Sequence, residues 1–310
     1  MISRISVLLL FASILCGSAH AQQPQLNILV SIAPQKYLVE RIATRHAAVN
    51  VMIAAGQTPA TWDPSPRKMS QLANTDILFC VGVPFESVWI PRLQKNFPSL
   101  AVVDPRQGIQ MLSLPEHNHG SMDEGNSEHE EHHNTTSAHA HDHDHEHNAL
   151  DPHIWLDPLR ALQMAENMTQ FLCTYDPDNA VDYQQGMAQL RQQFTQLHQQ
   201  LNNLLKPCAG QQFMVFHPSW GYFAQRYQLH QMAIELSGKE PQGAKLAQIT
   251  AAARAQHIST IFVQQQFSQK AAQTIATQIN ASVVQLDPLA EDLPLTLLTT
   301  AKKLRTAMEN

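Results

Sequence analysis

Histidine dominates the reactive chemistry of this chain: 17 occur in 310 residues, and ten of them fall between residues 116 and 147, in EHNHGSMDEGNSEHEEHHNTTSAHAHDHDHEH. They are His117, His119, His129, His132, His133, His139, His141, His143, His145 and His147. Neutral imidazole suits Zn, Cu and Ni, and the interleaved carboxylates add hard donors and a negative potential that concentrates cations. The stretch has no apolar periodicity and almost no large hydrophobes, so it cannot offset the entropy of ordering. It reads as a disordered insertion able to wrap transition-metal ions with any three or four side chains, adaptably and more weakly than a preformed site. The alternating run His139, His141, His143, His145 and His147 is its auxiliary metal-binding part.

His153 is a different kind of residue. It sits in DPHIWLDP, pinned by Pro152 before it and by the start of a helix after it, with Trp155 beside it. Two further donors occupy comparable positions: His217 ends the apolar run FMVFH and precedes PSWGYF, and Asp287 ends SVVQLD and precedes Pro288. Ligands of open parallel sheets bind outside the carboxyl ends of the strands, where the last two fall. Two histidines and a carboxylate placed this way form a cation site of nitrogen and oxygen donors. His46, His198, His230 and His257 lie within or beside helical segments and read as solvent-facing or capping residues.

The elements that must position these donors alternate. Short apolar runs at 26–33, 49–54, 77–83 and 101–104 read as strands covered on both faces, and Ser65 with Pro66 starts a helix between them as N-cap and first-turn proline. A second series has strands at 213–217, 260–265 and 282–287, with helices marked by Leu246, Ile249 and Ala253 and by Ala272, Ile275 and Ile279. Two helices separate the series, one opened by Asp157-Pro158, the other by Asp176-Pro177 with Met187, Leu190, Phe194, Leu197, Leu201 and Leu204 as its apolar stripe. The class is therefore α/β: two βα, parallel-sheet domains joined by a stiff helical connector. The expected division is 22–156 with the insertion 116–147, a connecting helix at 157–175, and a second domain at 176–310.

Residues 1–21 read as a secretory signal, with an apolar run from Ile5 to Cys16 and a cleavage signature at Ala19 and Ala21. Leu15 precedes Cys16 where a lipid-anchored protein would carry a small residue, so a soluble protein of a Gram-negative periplasm is expected. The net charge of −6 includes nine acidic residues in 116–147, leaving about +3 elsewhere, which excludes a nucleic-acid binder. No other apolar run approaches the ~20 residues of a membrane span. In an oxidising compartment Cys173 and Cys208, which flank the second helix, are expected to pair, while Cys80 in ILFCVGV reads as a buried small hydrophobe.

DPHIWLDP, FMVFHPSWGYFAQRY, IELSGKEPQGAKLAQI, IFVQQQFSQKAA and QLDPLAED resemble, in the same order, the zinc and manganese substrate-binding proteins of bacterial ABC importers, over nearly all of the chain after the signal. The resemblance implies two βα domains joined by a rigid long helix, an ion in the cleft between them, and His153, His217 and Asp287 as its ligands. It also implies an ABC permease and its ATPase as partners and zinc as the cargo of a His-rich member. One position departs. In AAGQTPATWDPSP, Ala60 stands where the family places its first histidine, and methyl cannot coordinate. Bidentate Asp287 with a water, Glu86 from GVPFESVW, or an insertion histidine could each complete the shell; the first needs no long reach. QQQF at 264–267 falls where the family often has an acidic residue.

The function expected is a monomeric periplasmic component that captures Zn(II) and delivers it to a permease, with no catalysis and no organic cofactor. A zinc buffer or chaperone without a transporter, and manganese as cargo, are the alternatives. A zinc hydrolase would need a general base beside the metal, and nothing in the sequence singles out Glu86 or Glu235 for that role.

Overall fold

The computed structural model describes residues 25–114 and 150–309, apart from 55, 61, 236–239 and 268. The proposed signal and the His-rich insertion lie outside the described residues.

The first half runs β1 (Leu26–Val30), α1 (Ala33–Ala43), β2 (Ala47–Val51), α2 (Pro66–Leu72), β3 (Ile77–Phe79), α3 (Pro84–Asn96) and β4 (Ala101–Val103). Its strands form one parallel sheet in the order β2-β1-β3-β4. The second half repeats the plan with β5 (Gln212–Val215), α6 (Gly221–Arg226), β6 (His230–Ala233), α7 (Gly243–Ala255), β7 (Thr260–Val263), α8 (Gln269–Ile279), β8 (Ser282–Gln285) and α9 (Leu293–Glu309), again parallel and in the order β6-β5-β7-β8. The α/β reading with two parallel sheets is correct. β6, HQMA, is the strand that apolar patterning did not mark: it is an edge strand with an exposed first residue and three half-buried ones.

Both sheets are covered on both faces, which is why their strands read as continuous apolar runs. The side chains still alternate. Phe213, Val215 and Phe262 join the large core that includes α5 and α9, whereas Met214, Phe216, Ile261 and Val263 join a smaller core with Ile249, Ala253, Ala272 and Ile275 of α7 and α8.

Between the halves stand α4 (Pro158–Tyr175) and α5 (Ala180–Leu205). Asp157 caps α4, its side chain accepting from the Leu159 amide at 2.9 Å. Asp176 and Pro177 make a short 3-10 turn before α5 instead of its first turn, and the buried stripe ends at Leu205 while Leu204 is half-buried. At 26 residues α5 is about 39 Å long. It packs on α1 of the first half, on α4, and on α9 of the second. Gly186 permits the close approach of α1, since a Cβ there would meet the Arg41 carbonyl oxygen at 2.4 Å.

The length of α5 overturns the expected disulfide. Cys173 lies at its N-terminal end, its Sγ 3.6 Å from the Ala180 carbonyl oxygen, and Cys208 follows its C-terminus, so both are free thiols with a whole helix between them. Disulfide Cα atoms must approach to within about 7 Å. Cys80 is buried as expected, its thiol donating to the Val103 carbonyl at 3.2 Å.

Two ion pairs tie the second half to the start of α4 and to the first half. Arg226 of α6 donates from Nη2 and Nε to the fully buried Asp157 carboxylate at 2.8 and 3.0 Å, and Lys36 of α1 reaches Glu291, just before α9, at 3.0 Å. Among the described residues no helix is long and apolar enough to cross a membrane.

Candidate metal centre

His153 precedes the 3-10 turn Ile154–Leu156, which leads through Asp157 into α4. Its backbone amide donates to Asp151 Oδ1 at 2.9 Å, and its Nδ1 lies 2.6 Å from the same oxygen. His217 leaves the end of β5, where Gln264, at the end of β7, grips its backbone: Oε1 accepts from the His217 amide at 3.3 Å and Nε2 donates to the His217 carbonyl at 3.0 Å. β5 and β7 are the central pair of their sheet, so His217 stands at the switch point where strand order reverses. Its Nδ1 lies 2.9 Å from Glu235 Oε2, and its ring stacks on Phe267 with centroids 4.8 Å apart.

The two imidazoles, one from each half, come together with centroids 5.3 Å apart and planes inclined at 71°. Both are partly exposed, at 13% for His153 and 27% for His217. Among the described residues no hydrogen bond engages either Nε2.

Asp287 follows β8 in the same region. Its Oδ1 accepts from the Leu289 amide at 3.0 Å and its Oδ2 from Gln265 Nε2 at 3.4 Å. The next residue in its turn, Pro288, accepts a 2.8 Å hydrogen bond from Trp155 Nε1, two positions beyond His153. The Asp287 turn is thus fastened to the His153 turn. The structure brings the two histidines together but not yet the triad: among the described residues no three His, Cys, Asp or Glu side chains stand in reach of one ion.

Glu86 is held within the first half. Its Oε1 accepts from the Val81 amide at 2.9 Å and its Oε2 from the Gly82 amide at 2.6 Å. Burial holds its pKa above the ordinary carboxylate range, opposed by these amides. Both oxygens of Glu86, the candidate for a fourth ligand, are thus engaged with the β3–α3 corner. Ala60 lies on an exposed turn, with its amide donating to Thr58 Oγ1 at 3.3 Å, and brings no donor side chain.

The remaining candidates divide. His46 is no solvent-facing residue: Nε2 lies 2.7 Å from Asp182 of α5, and its ring meets Tyr183 edge-on. His198 is half-buried with Nδ1 3.2 Å from Tyr227 Oη, and burial lowers its pKa. His230 and His257 are exposed. Trp155, Trp220, Tyr222 and Phe223 are fully buried, so they brace the site from behind; Tyr222 Oη donates to the Asp151 carbonyl at 2.7 Å. The Asp151 and Glu235 contacts with the imidazoles escaped the sequence reading. An acid two residues before His153 was visible as a local pattern, whereas Glu235 meets His217 only through the β5–β6 pairing.

The residues 28–296 match the family model described as ZnuA, zinc-uptake complex component A periplasmic. Among curated relatives, the high-affinity zinc uptake system protein ZnuA of Bacillus subtilis is 28% identical over 277 residues, covering 88% of this chain and 81% of that protein. The zinc-binding lipoprotein AdcA of Streptococcus pneumoniae is 26% identical over 278 residues, and the match spans 52% of its longer chain. A crystal structure of ZnuA superposes with a TM-score of 0.79 at 31% identity, covering 92% of this chain and 100% of that one. A ZnuA 138–173 deletion mutant with zinc bound gives a TM-score of 0.78, also at 31% identity, over 92% of this chain and 98% of its own. With nearly the whole described chain matched and the two-sheet fold shared, the chain belongs to the ZnuA family of zinc-uptake complex components.

Proposed function

We propose that this protein is the metal-binding component of an ABC importer, a periplasmic monomer that captures Zn(II) as cargo and delivers it to a membrane permease and its ATPase. His153 and His217 bind the ion through Nε2, and Asp287 joins them through its carboxylate as the ion is taken up. The reading requires no catalytic step.

The observation that carries this reading is the imidazole pair. With a Zn–N bond of about 2.0–2.1 Å and a ring centre ~1.1 Å further on, each centroid would sit about 3.2 Å from a shared ion. Two ligands at a tetrahedral angle would then have centroids about 5.2 Å apart. The observed separation is 5.3 Å. Both Nδ1 atoms are already engaged, so each ring has Nε2 left for the metal. The names of the relatives, a zinc uptake protein and zinc-binding lipoproteins, support zinc as the cargo.

Ala60 and the inward-turned Glu86 leave three protein ligands. Bidentate Asp287 and a water complete the shell, an arrangement with an open position that suits an ion that must later be released. The insertion 116–147 acts as a looser collector, His139, His141, His143, His145 and His147 its densest part. Two imidazoles still favour Zn(II) over Mn(II).

Competitive titration of the protein lacking residues 116–147 tests this. Zinc is expected to bind far more tightly than manganese. Comparable affinity for both ions would contradict the reading, and a large loss of zinc affinity relative to the full chain would replace the water by an insertion histidine.

A further inference from the structure

The imidazoles of His153 and His217 come from unrelated local structures, a turn before α4 and the end of β5. Each nevertheless presents Nδ1 to one buried carboxylate, Asp151 at 2.6 Å and Glu235 at 2.9 Å, whose side chains are only 5% and 4% exposed. An ionised carboxylate only accepts, so a neutral imidazole that faces one through Nδ1 carries its proton there and its lone pair on Nε2. We infer that Asp151 and Glu235 are positioning residues that lock both imidazoles in the Nδ1–H tautomer and so aim both Nε2 lone pairs at one ion. This inference rests on the assignment of His153 and His217 as zinc ligands.

Each carboxylate is itself held. The Asp151 amide donates to the Leu112 carbonyl at 2.8 Å, and its own carbonyl accepts from Tyr222 Oη at 2.7 Å. Gly221 leaves room for its second oxygen: a Cβ there would stand 3.1 Å from Asp151 Oδ2. The Glu235 amide donates to the Phe216 carbonyl at 2.8 Å, fixing it opposite the residue before His217. Trp155 and Phe267 then pack on the two rings, with centroid separations of 5.2 and 4.8 Å, and limit their rotation.

His46 supplies the internal contrast. It too pairs with a carboxylate, Asp182, but through Nε2, and that partner is 37% exposed. Use of Nδ1 against a buried acid is thus shared by the two candidate ligands and not by every histidine–carboxylate contact in the fold. A carboxylate behind a ligating imidazole also raises its basicity, and losing such a partner weakens metal binding by about 10- to 100-fold.

Long-range 1H–15N correlation spectra of the zinc-free full chain, labelled with 15N-histidine and assigned through H153N and H217N, read the tautomers directly. His153 and His217 are expected as Nδ1–H in the unsubstituted protein. Glu235→Ala is expected to shift His217 toward Nε2–H while His153 stays unchanged, and Asp151→Ala to do the reverse. Zinc affinity, measured against a tight chromophoric chelator, should fall about 10- to 100-fold in either variant. Glu235→Gln, which retains an acceptor, should keep the tautomer but lose about tenfold in affinity, and it carries the test should Glu235→Ala fail to fold. Nε2–H or doubly protonated rings in the unsubstituted protein, or unchanged affinity in Glu235→Gln, would overturn the positioning role. Unchanged zinc binding in H153N and H217N would instead refute the ligand assignment, whatever the tautomers.

Discussion

The two sheets share one topology and differ in what their strand ends do with charge. In the first half, each acid beyond β3 and β4 is answered nearby: Glu86 accepts from two backbone amides, and Asp104 holds Arg106 through three contacts of 2.6 to 3.1 Å. In the second half the equivalent ends carry His217, Glu235, Gln264 and Asp287; among the described residues His217 Nε2 has no hydrogen-bond partner, and Asp287 accepts from the Leu289 amide and, at 3.4 Å, from Gln265. The first half contributes its one imidazole from outside its sheet, in the turn before α4. The fold thus decides where a site can be, and the proposed site lies where polar groups of the described residues are not answered within their own half.

That contrast can be broken at several points. The largest effect is expected from His217→Ala, which should loosen zinc binding at the main site on the order of a thousandfold, about 4 kcal/mol. His257→Ala, an exposed histidine of the same half, should leave the affinity unchanged in the same chelator competition.

Glu86→Ala moves the opposite quantity. It leaves the amides of Val81 and Gly82 without their acceptor in a buried corner, so thermal or denaturant unfolding should show a loss of about 2–3 kcal/mol, with zinc affinity within about twofold of the parent. A matching loss of zinc affinity in the folded variant would return Glu86 to the ligand set. Ala60→His restores a donor at the position where the family carries one and should tighten zinc about tenfold, about 1.4 kcal/mol.

The smallest effect concerns acid stability. The hydrogen bond from His46 holds the Asp182 pKa below its ordinary value of 3.8, with Arg45 adding to the shift. A lowered carboxylate pKa stabilises the fold above the unfolded-state value, and that contribution is lost as pH falls through the folded-state value. Asp182→Asn should therefore flatten the fall in melting temperature below about pH 4 and leave zinc binding at neutral pH untouched.

Much of this was legible in the sequence, because burial on both faces writes itself as unbroken apolar runs: β1, β3, β4, β7 and β8 all fall within the stretches that patterning marks. β6 escaped because an edge strand of four residues need not be apolar. The Cys173–Cys208 pairing failed because proximity to the two ends of a helix is separation, not closeness, when the helix has 26 residues. His153, His217 and Asp287 stood out by their positions beside prolines at element ends. What pairs with them did not, since Glu235 reaches His217 across a strand pairing and Glu86 turns inward by a local bend that spacing does not encode.

The most direct test of the account is a crystal structure of the zinc-loaded protein with anomalous data collected on both sides of the zinc edge. The predicted result is one strong anomalous peak between the halves, about 2.0–2.2 Å from His153 Nε2, His217 Nε2 and the Asp287 carboxylate, with Nδ1 of both histidines still on Asp151 and Glu235. A peak that shares no ligand with this set, or one coordinated by Glu86, would contradict it.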